Sequence, residues 1–391
     1  MIHPLAALCV ALAVFVAGCA SAPMSGEQQA LFQDAAFAPA KHSVSAVDLF
    51  TVSPDMQRWL DSHLPAGAAD GRAKRYQREL IDALYDGRAL GIDYDAAVTR
   101  NAADTFDVRA GNCLSLVIMT AAFAKALELD VQYQSIDVNE TWGRGEGMVF
   151  AIGHVNVTLG KRRTSLLDVR QDHVALTVDF FPPEATTGQR SWPISENTVV
   201  AMYLNNRAVE ALAAGRVDDA YWWAREAIHT DARFMAPYNT LGVVYRRHGL
   251  LGNAAIAFGR VISADPYNTK AISNLATVFE AQGKSAEASQ MQARLASLTR
   301  SGLKEPFASF NRGLQYMQAG DFPSARDAFA LELARDPFND EVNFWQARAL
   351  VGLGELKRAG EHLSTAIEFS TTLKKRDLYA AKLDHIRAYR R

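Results

Sequence analysis

Three residues in the first half of the chain have the types and the order of a thiol nucleophile and its proton-transfer partners. Cys113 follows Gly111-Asn112 at the predicted start of an apolar helix, His154 lies in an apolar strand-like run, and Asp168 lies in the next such run. A helix N-terminus favours thiolate over thiol, an adjacent imidazole exchanges the proton, and a carboxylate fixes the ring tautomer. The backbone N–H groups at such a helix start also stabilise an oxyanion. Each residue type therefore has a chemical reason to belong to one site.

Each of these residues also has an ordinary structural explanation. A cysteine on an apolar helix is usually a small core residue, and a histidine beside valines on a strand is usually a core residue with its hydrogen bonds satisfied. An aspartate before a basic turn is usually a surface ion pair. We favour the site because all three types occur together in this order. Asp172 and His173 are competing partners, but they lie beyond the predicted strand that carries Asp168.

Two further residues near the predicted site are not expected to be catalytic. Trp142 precedes the histidine strand and either walls a substrate cleft or packs, and Asn156 is placed to hydrogen-bond near His154. The sequence has no His-x-x-x-His or Cys-x-x-Cys spacing and no glycine-rich phosphate loop after a strand. A Cys/His/Asp set without a fourth ligand is a poor zinc site, so neither a metal nor a cofactor is expected.

The elements that must position these residues change character near residue 130. Helical spacing of apolar residues predicts two helices between about 48 and 100 and a third from 112 to 127. The apolar residues of the first two helices are Met56, Leu60, Leu64, Leu80, Ala83 and Leu84. Alternation then predicts strands at 131–136, 147–158 and 165–169, with a candidate fourth at 177–180. Prolines at 182, 183 and 193 mark a boundary.

A repeating pattern occupies the chain after about residue 200. Glycines recur every 34 residues, apart from one gap of 37, and an alanine follows each glycine by five residues. The repeated residues are Gly215, Gly249, Gly283, Gly320 and Gly354, with Ala220, Ala254, Ala288, Ala325 and Ala359. This period resembles the tetratricopeptide repeat, a pair of antiparallel helices joined by a turn. In the second copy Gly242 and Ala254 allow close helix approach, Gly249 turns the chain and Pro266 ends the second helix.

The first half of the chain resembles the transglutaminase-like superfamily of the papain-like group. The resemblance is strongest from about 102 to 169, in Gly111-Asn112-Cys113-Leu114-Ser115, His154-Val155-Asn156-Val157 and Asp168. It implies that Cys113 is the nucleophile, His154 the general acid/base and Asp168 the orienting group, and that amide bonds are the substrates. Bacterial lipoproteins that join such a domain to tetratricopeptide repeats are similar along nearly the whole mature chain.

The N-terminal segment predicts an exported lipoprotein. Residues 5–16 are almost wholly apolar, and such a run suits a signal-peptide core but falls short of the roughly 20 residues that span a bilayer. Val16-Ala17-Gly18-Cys19 resembles a bacterial lipobox, with Cys19 as the lipidated residue. The first four residues carry no Lys or Arg, so an ordinary secretory signal is the alternative. Removal of Cys9 and acylation of Cys19 would leave Cys113 without an internal disulfide partner.

These observations give an expected organisation. A lipoprotein signal peptide covers 1–18 and a lipidated tether 19–47. An α+β transglutaminase-like (papain-like) domain covers 48–197, an all-α tetratricopeptide solenoid of about five repeats covers 198–370, and a C-terminal helix or tail covers 371–391. Ala20 and Ser21 follow Cys19, where an Asp would suggest retention in the inner membrane, so the resemblance to bacterial lipoproteins implies an outer-membrane protein facing the periplasm. A net charge of −2, with 21% charged residues, supplies no positive field for nucleic acid.

The expected function is thiol acyl transfer at amide bonds of a peptide or protein substrate. Hydrolysis is favoured over transamidation because water is abundant in the periplasm. The repeats are expected to recruit a protein partner, and the N-terminal lipid is expected to bind the membrane. The alternative is a catalytically inactive scaffold for the assembly of envelope proteins.

Overall fold

Two short helices begin the described part of the N-terminal unit. The computed structural model describes residues 30–41, 43–64, 73–85, 90–95, 98–145, 148–160, 175–180, 189–300, 308–370 and 373–389. Helix α1 (Pro54–His63) begins at Ser53, whose hydroxyl accepts the Met56 N–H at 3.2 Å. Helix α2 spans Ala73–Tyr85. The predicted apolar stripes are confirmed, since Met56, Leu60, Leu64, Leu80 and Leu84 are all buried.

Two small elements lead to the central helix. Helix α3 (Ala102–Val108) is followed by strand β2 (Ala110–Gly111), which pairs in parallel with strand β1 (Asp93–Tyr94). Sequence periodicity did not predict any of the three, because two-residue strands and a two-turn helix are too short to establish a period. They matter because β2 ends two residues before the cysteine.

Helix α4 (Cys113–Ala126) is the buried centre of the N-terminal unit. Every side chain from Leu114 to Ala124 is buried, as expected for a helix that is apolar on all sides. Asn112 caps it, and its Oδ1 accepts the Ser115 N–H at 2.9 Å. The helix agrees with the predicted span of 112–127.

A four-stranded antiparallel sheet packs against α4, in the order β5-β4-β3-β6. Its strands are β3 (Val131–Gly145), β4 (Met148–Leu159), β5 (Leu176–Val178) and β6 (Ser191–Ile194). The strands predicted at 131–136, 147–158 and 177–180 are confirmed with shifted ends, and the one predicted at 165–169 lies outside the described residues. Strand β6 was missed because it contains Pro193, which was interpreted as a boundary; a proline is tolerated on an edge strand.

Five helix pairs and a final helix form a tetratricopeptide-type solenoid. The repeats are α5/α6 (Glu196–Ala213, Val217–Thr230), α7/α8 (Ala236–Arg247, Leu251–Ala264), α9/α10 (Thr269–Ala281, Ser285–Arg300), α11/α12 (Ala308–Gln318, Phe322–Leu333) and α13/α14 (Asp340–Gly352, Leu356–Glu368). Helix α15 (Leu373–Tyr389) follows. The predicted tetratricopeptide-type solenoid is confirmed, with five helix pairs among the described residues.

The repeated small residues lie where the helices of a pair meet. Gly249 joins α7 to α8 with φ 85°, a conformation that strains other residues. A Cβ on Gly242 would lie 2.6 Å from the Phe258 ring, and Ala254 is fully buried. The pattern of small residues therefore sets the closeness of the helices.

The first three repeats share one buried apolar cluster with the N-terminal unit. This cluster extends from Leu31 to Val278, whereas repeats four and five contribute two separate clusters. Helix α5 contacts α4, and α7 and α9 contact β4. The inner helices of these repeats therefore pack against the unit that carries Cys113 and His154.

Residues 30–41, part of the predicted tether of 19–47, are packed on the first two repeats. The Phe37 ring stacks on Tyr221 with centroids 3.9 Å apart, and the Tyr245 hydroxyl donates to the Leu31 carbonyl at 2.6 Å. This part of the segment therefore belongs to the folded body. Among the described residues, none of the helices has the length and apolar character needed to cross a membrane.

Candidate functional site

Cys113 is the first residue of α4 and is partly exposed. It is the single cysteine among the described residues, and its thiol is free. The preceding glycine is required by packing, since a Cβ on Gly111 would lie 2.8 Å from the Ser115 Cβ. Asn112 caps the helix and donates from Nδ2 to Thr99 Oγ1 at 2.8 Å. The run Gly111-Asn112-Cys113 thus fixes the thiol at the end of a buried helix.

His154 lies on β4 with its side chain 3% exposed, and its ring nitrogen Nε2 is 2.7 Å from Asp179 Oδ1. The other carboxylate oxygen of Asp179 accepts from Asn156 Nδ2 at 3.3 Å. Sequence reasoning had predicted this neighbouring role for Asn156. Nδ1, the other ring nitrogen, is also buried.

The structure places a different carboxylate on the histidine from the one that the sequence predicted. Asp168 lies outside the described residues, as do Asp172 and His173, while Asp179 follows directly after β5. Val157 pairs with Val178, so Asp179 comes opposite Asn156 and shares a sheet face with His154. Sequence reasoning missed Asp179 because strand order and register, which alone place it beside His154, cannot be read from one strand's pattern. The available signal was a carboxylate at the end of the predicted strand 177–180.

The charges around His154 favour its protonated form. Burial by itself lowers the pKa of the ring, but hydrogen bonds to Asp179 and Cys113 and the charges of both partners raise the pKa from 6.5 to about 9. His154 therefore interacts with the thiol and the carboxylate at once. At neutral pH the arrangement is an imidazolium between two groups that carry or can carry negative charge.

Tyr94 on β1 is a site neighbour that sequence reasoning did not identify. It pairs with Gly111, two residues before Cys113. Burial and the charge of Cys113 raise the pKa of Tyr94 well above its usual value, while a hydrogen bond with the backbone of Cys113 lowers it. The phenol is therefore neutral and lies at the N-terminus of α4.

For two other residues singled out in the sequence, the side chain lies outside the part of the chain that the structure describes. Cys19 lies outside the described residues, and so does the side chain of Trp142. Within the described ranges, no cluster of three or more His, Cys, Asp or Glu residues is arranged to hold a metal ion.

Solved structures of tetratricopeptide proteins resemble part of the chain. A thermophilic TPR protein of Thermus thermophilus is 20% identical and covers 47% of this chain and 98% of its own, with a TM-score of 0.31. YrrB, described as a TPR protein with an unusual peptide-binding site, is 20% identical over 46% of this chain and 92% of its own, with a TM-score of 0.25.

A third structure, that of pilF from Pseudomonas aeruginosa, is 16% identical over 50% of this chain and 88% of its own, with a TM-score of 0.28. TM-scores this low add no argument to the repeat assignment, which the helix pairs and turn glycines carry. No protein-family model matches the sequence, and no curated protein matches it. The chain is therefore an N-terminal unit of helices and small sheets followed by a tetratricopeptide-type solenoid.

Proposed function

We propose that the protein is a thiol acyl-transfer enzyme that hydrolyses amide bonds of a peptide or protein, with Cys113, His154 and Asp179 as its catalytic groups. The observation that carries the proposal is the chain of contacts from the free thiol at the start of α4, through His154, to Asp179 at 2.7 Å from Nε2. A nucleophile beside a base that a third group orients is the arrangement of cysteine hydrolases.

The proposed reaction has two steps. The Cys113 thiolate attacks the amide carbonyl carbon, the carbon–nitrogen bond breaks, and the proton of His154 passes to the leaving amine. Water then attacks the thioester and gives a proton to His154, which returns it to the departing sulfur as the carboxylic acid leaves. Asp179 keeps the ring orientation and offsets its charge throughout. The N–H groups at the start of α4 face the oxyanion of each step.

The solenoid in this proposal recruits a protein or peptide partner. Its inner helices α7 and α9 already contact β4, so the partner is expected on the surface of the repeats that the N-terminal unit leaves free. An outer-membrane location through lipid on Cys19 belongs to the same proposal, and it rests on the lipobox resemblance alone.

A second candidate is the inactive scaffold, in which the repeats assemble envelope proteins and the thiol site is idle. The favouring observation is the size of the solenoid, which supplies ten paired helices among the described residues. In that case the variant Cys113→Ala would retain the whole partner set and the cellular phenotype of the native protein.

The deciding experiment measures the rate at which iodoacetamide alkylates Cys113, by mass spectrometry of the intact protein at pH 7. His154→Ala is expected to slow alkylation at least tenfold, because it removes the imidazolium beside the sulfur. His229→Ala is the matched control, since it removes a histidine ring of the solenoid that stacks on Phe32. Equal rates in the native protein and in His154→Ala would refute the proposal. Cleavage of a peptide library that Cys113→Ala abolishes would then identify the substrate.

A further inference from the structure

The last repeat of the solenoid returns to the N-terminal unit beside Cys113. Phe369 directly follows α14, and its ring centroid lies 5.3 Å from that of Tyr94. Arg376 on α15 extends Nη1 to within 3.3 Å of Asp95 Oδ1. We call these two pairs, Tyr94 with Phe369 and Asp95 with Arg376, the closing contact.

The closing contact reaches the nucleophile through two short strands. Asp95 donates its backbone N–H to the Gly111 carbonyl at 3.0 Å, and Tyr94 pairs with Gly111 in the parallel ladder. Arg100 bonds the second oxygen of Asp95 at 3.0 Å, which holds the carboxylate in place. Phe369 and Arg376 are therefore connected through Tyr94 and Asp95 to Gly111, just before Cys113.

The hydroxyl of Tyr94 also engages a hydrogen-bond donor that the proposed reaction needs, the backbone N–H of Cys113. Tyr94 pairs with Gly111, two residues before Cys113, and a hydrogen bond from the backbone N–H of Cys113 lowers the pKa of the phenol. The same N–H is the natural donor to an oxyanion formed at the sulfur, and a donor engaged elsewhere stabilises no oxyanion.

The attachment of the last two repeats is separate from the main core. Repeats one to three share the buried apolar cluster of the N-terminal unit, whereas repeats four and five have clusters of their own among the described residues. Tyr94 packs against that shared core, whereas its partner Phe369 lies outside it.

We propose that the closing contact is an autoinhibitory latch: Phe369 and Arg376 hold Tyr94 on the backbone N–H of Cys113, and a protein bound to the last repeat frees that N–H. The inference rests on the proposed thiol chemistry. The Tyr94 side chain blocks the donor, and the last repeat determines how long it stays there.

The latch can be tested separately from the thiol site by comparing the rates at which Cys113 of the full-length protein is acylated and alkylated. Acylation by p-nitrophenyl acetate forms an oxyanion at the carbonyl, whereas alkylation by iodoacetamide does not. Tyr94→Phe keeps the ring against Phe369 and removes the hydroxyl, so it is expected to accelerate acylation about tenfold or more, since one oxyanion donor is worth at least that much. Its alkylation rate is expected to change less than twofold.

Two variants test the role of the last repeat. Phe369→Ala is expected to accelerate acylation about tenfold, equivalent to about 1.4 kcal/mol in the opening equilibrium, and Arg376→Ala a few-fold in the same direction. Arg387→Ala is the matched control on α15, because its side chain is 65% exposed and pairs locally with Asp384. Arg376→Ala keeps the test informative should Phe369→Ala fail to fold.

The outcomes distinguish the latch from the proposed function. Acylation rates that stay unchanged or fall in Tyr94→Phe and Arg376→Ala, while alkylation still depends on His154, would overturn the latch and leave the thiol site standing. Alkylation that does not depend on His154 would refute the thiol site and the latch with it. Faster acylation in all three variants but not in Arg387→Ala would support the latch.

Discussion

Replacement of Asp179 by Asn tests the electrostatic design of the site most sharply. Asn keeps an oxygen that accepts a hydrogen bond from Nε2 of His154 but carries no charge. The ring stays buried, and burial disfavours its protonated form. The pKa of His154 is therefore expected to fall from about 9 toward its ordinary value of 6.5, while the hydrogen bond and the charge of Cys113 still raise it.

The expected magnitude follows from the protonated fraction of the ring. At pH 7.5 a ring of pKa about 9 is about 97% protonated, whereas one of pKa about 6.5 is about 9% protonated. The imidazolium beside Cys113 is thus depleted by up to about tenfold, the full factor applying if Asp179 supplies the whole shift. At pH 6 both forms are mostly protonated, so the difference is expected to shrink to less than about twofold.

The free energy of unfolding gives an independent test, because the sign of its pH dependence follows from the raised pKa of His154. A raised folded-state pKa contributes stability that is complete below the unfolded pKa of 6.5 and is lost as the pH rises through about 9. A shift of this size corresponds to roughly 3 kcal/mol. The free energy of unfolding of the native protein is expected to decline between pH 6.5 and 9, and Asp179→Asn is expected to flatten this decline.

The assay is the alkylation rate of Cys113 by iodoacetamide from pH 5.5 to 9, paired with urea unfolding at the same pH values. Asp231→Asn is the control, because it removes a buried carboxylate of the solenoid that accepts from Thr198 at 2.7 Å. It is expected to change stability without changing the pH profile of alkylation. An Asp179→Asn profile that overlays the native one would show that Asp179 does not set the charge of His154.

Two further predictions concern packing and the N-terminus. Gly242→Ala is expected to destabilise the protein by about 1–3 kcal/mol because its Cβ would meet the Phe258 ring. Gly252→Ala, at a helix position with open space, is the control and is expected to be neutral or stabilising by up to about 1 kcal/mol. Thermal unfolding measures both variants, and equal effects would contradict the close helix approach. Cys19→Ala is expected to abolish incorporation of an alkyne-labelled palmitate in bacteria, and retained label would contradict the lipobox prediction.

Much of the local structure could be predicted from side-chain spacing. The helix from 112 to 127, the hairpin strands and the repeats follow from periods of 3.6, 2 and 34 residues. The helix and strand β4 end within one residue of their predicted ends, whereas β3 continues to Gly145, nine residues beyond its predicted end at 136. The thiol at a helix start and its histidine on a strand follow from the same patterns. The short elements β1, β2 and α3 could not be predicted, since they contain too few residues to show a period.

The third member of the site could not be predicted in the same way. Asp179 reaches His154 only because β5 pairs with β4 in the register that joins Val157 to Val178. Register depends on packing between strands rather than on the pattern within either one. Several aspartates follow the histidine in the sequence, and only the pairing of the strands determines which of them lies beside His154.

The sequence by itself determined the repeats, the buried helix that begins at Cys113 and the strand that carries His154, because each depends on residues near one another in the chain. Tertiary structure alone decided that Asp179 bonds the histidine, that residues 30–41 pack on the first repeats, and that Phe369 and Arg376 reach Tyr94 and Asp95. These contacts join residues up to 281 positions apart. Local periodicity carries no information over such separations. Strand register places Asp179 beside His154, and the stacking of the repeats places the end of the solenoid beside the N-terminal unit.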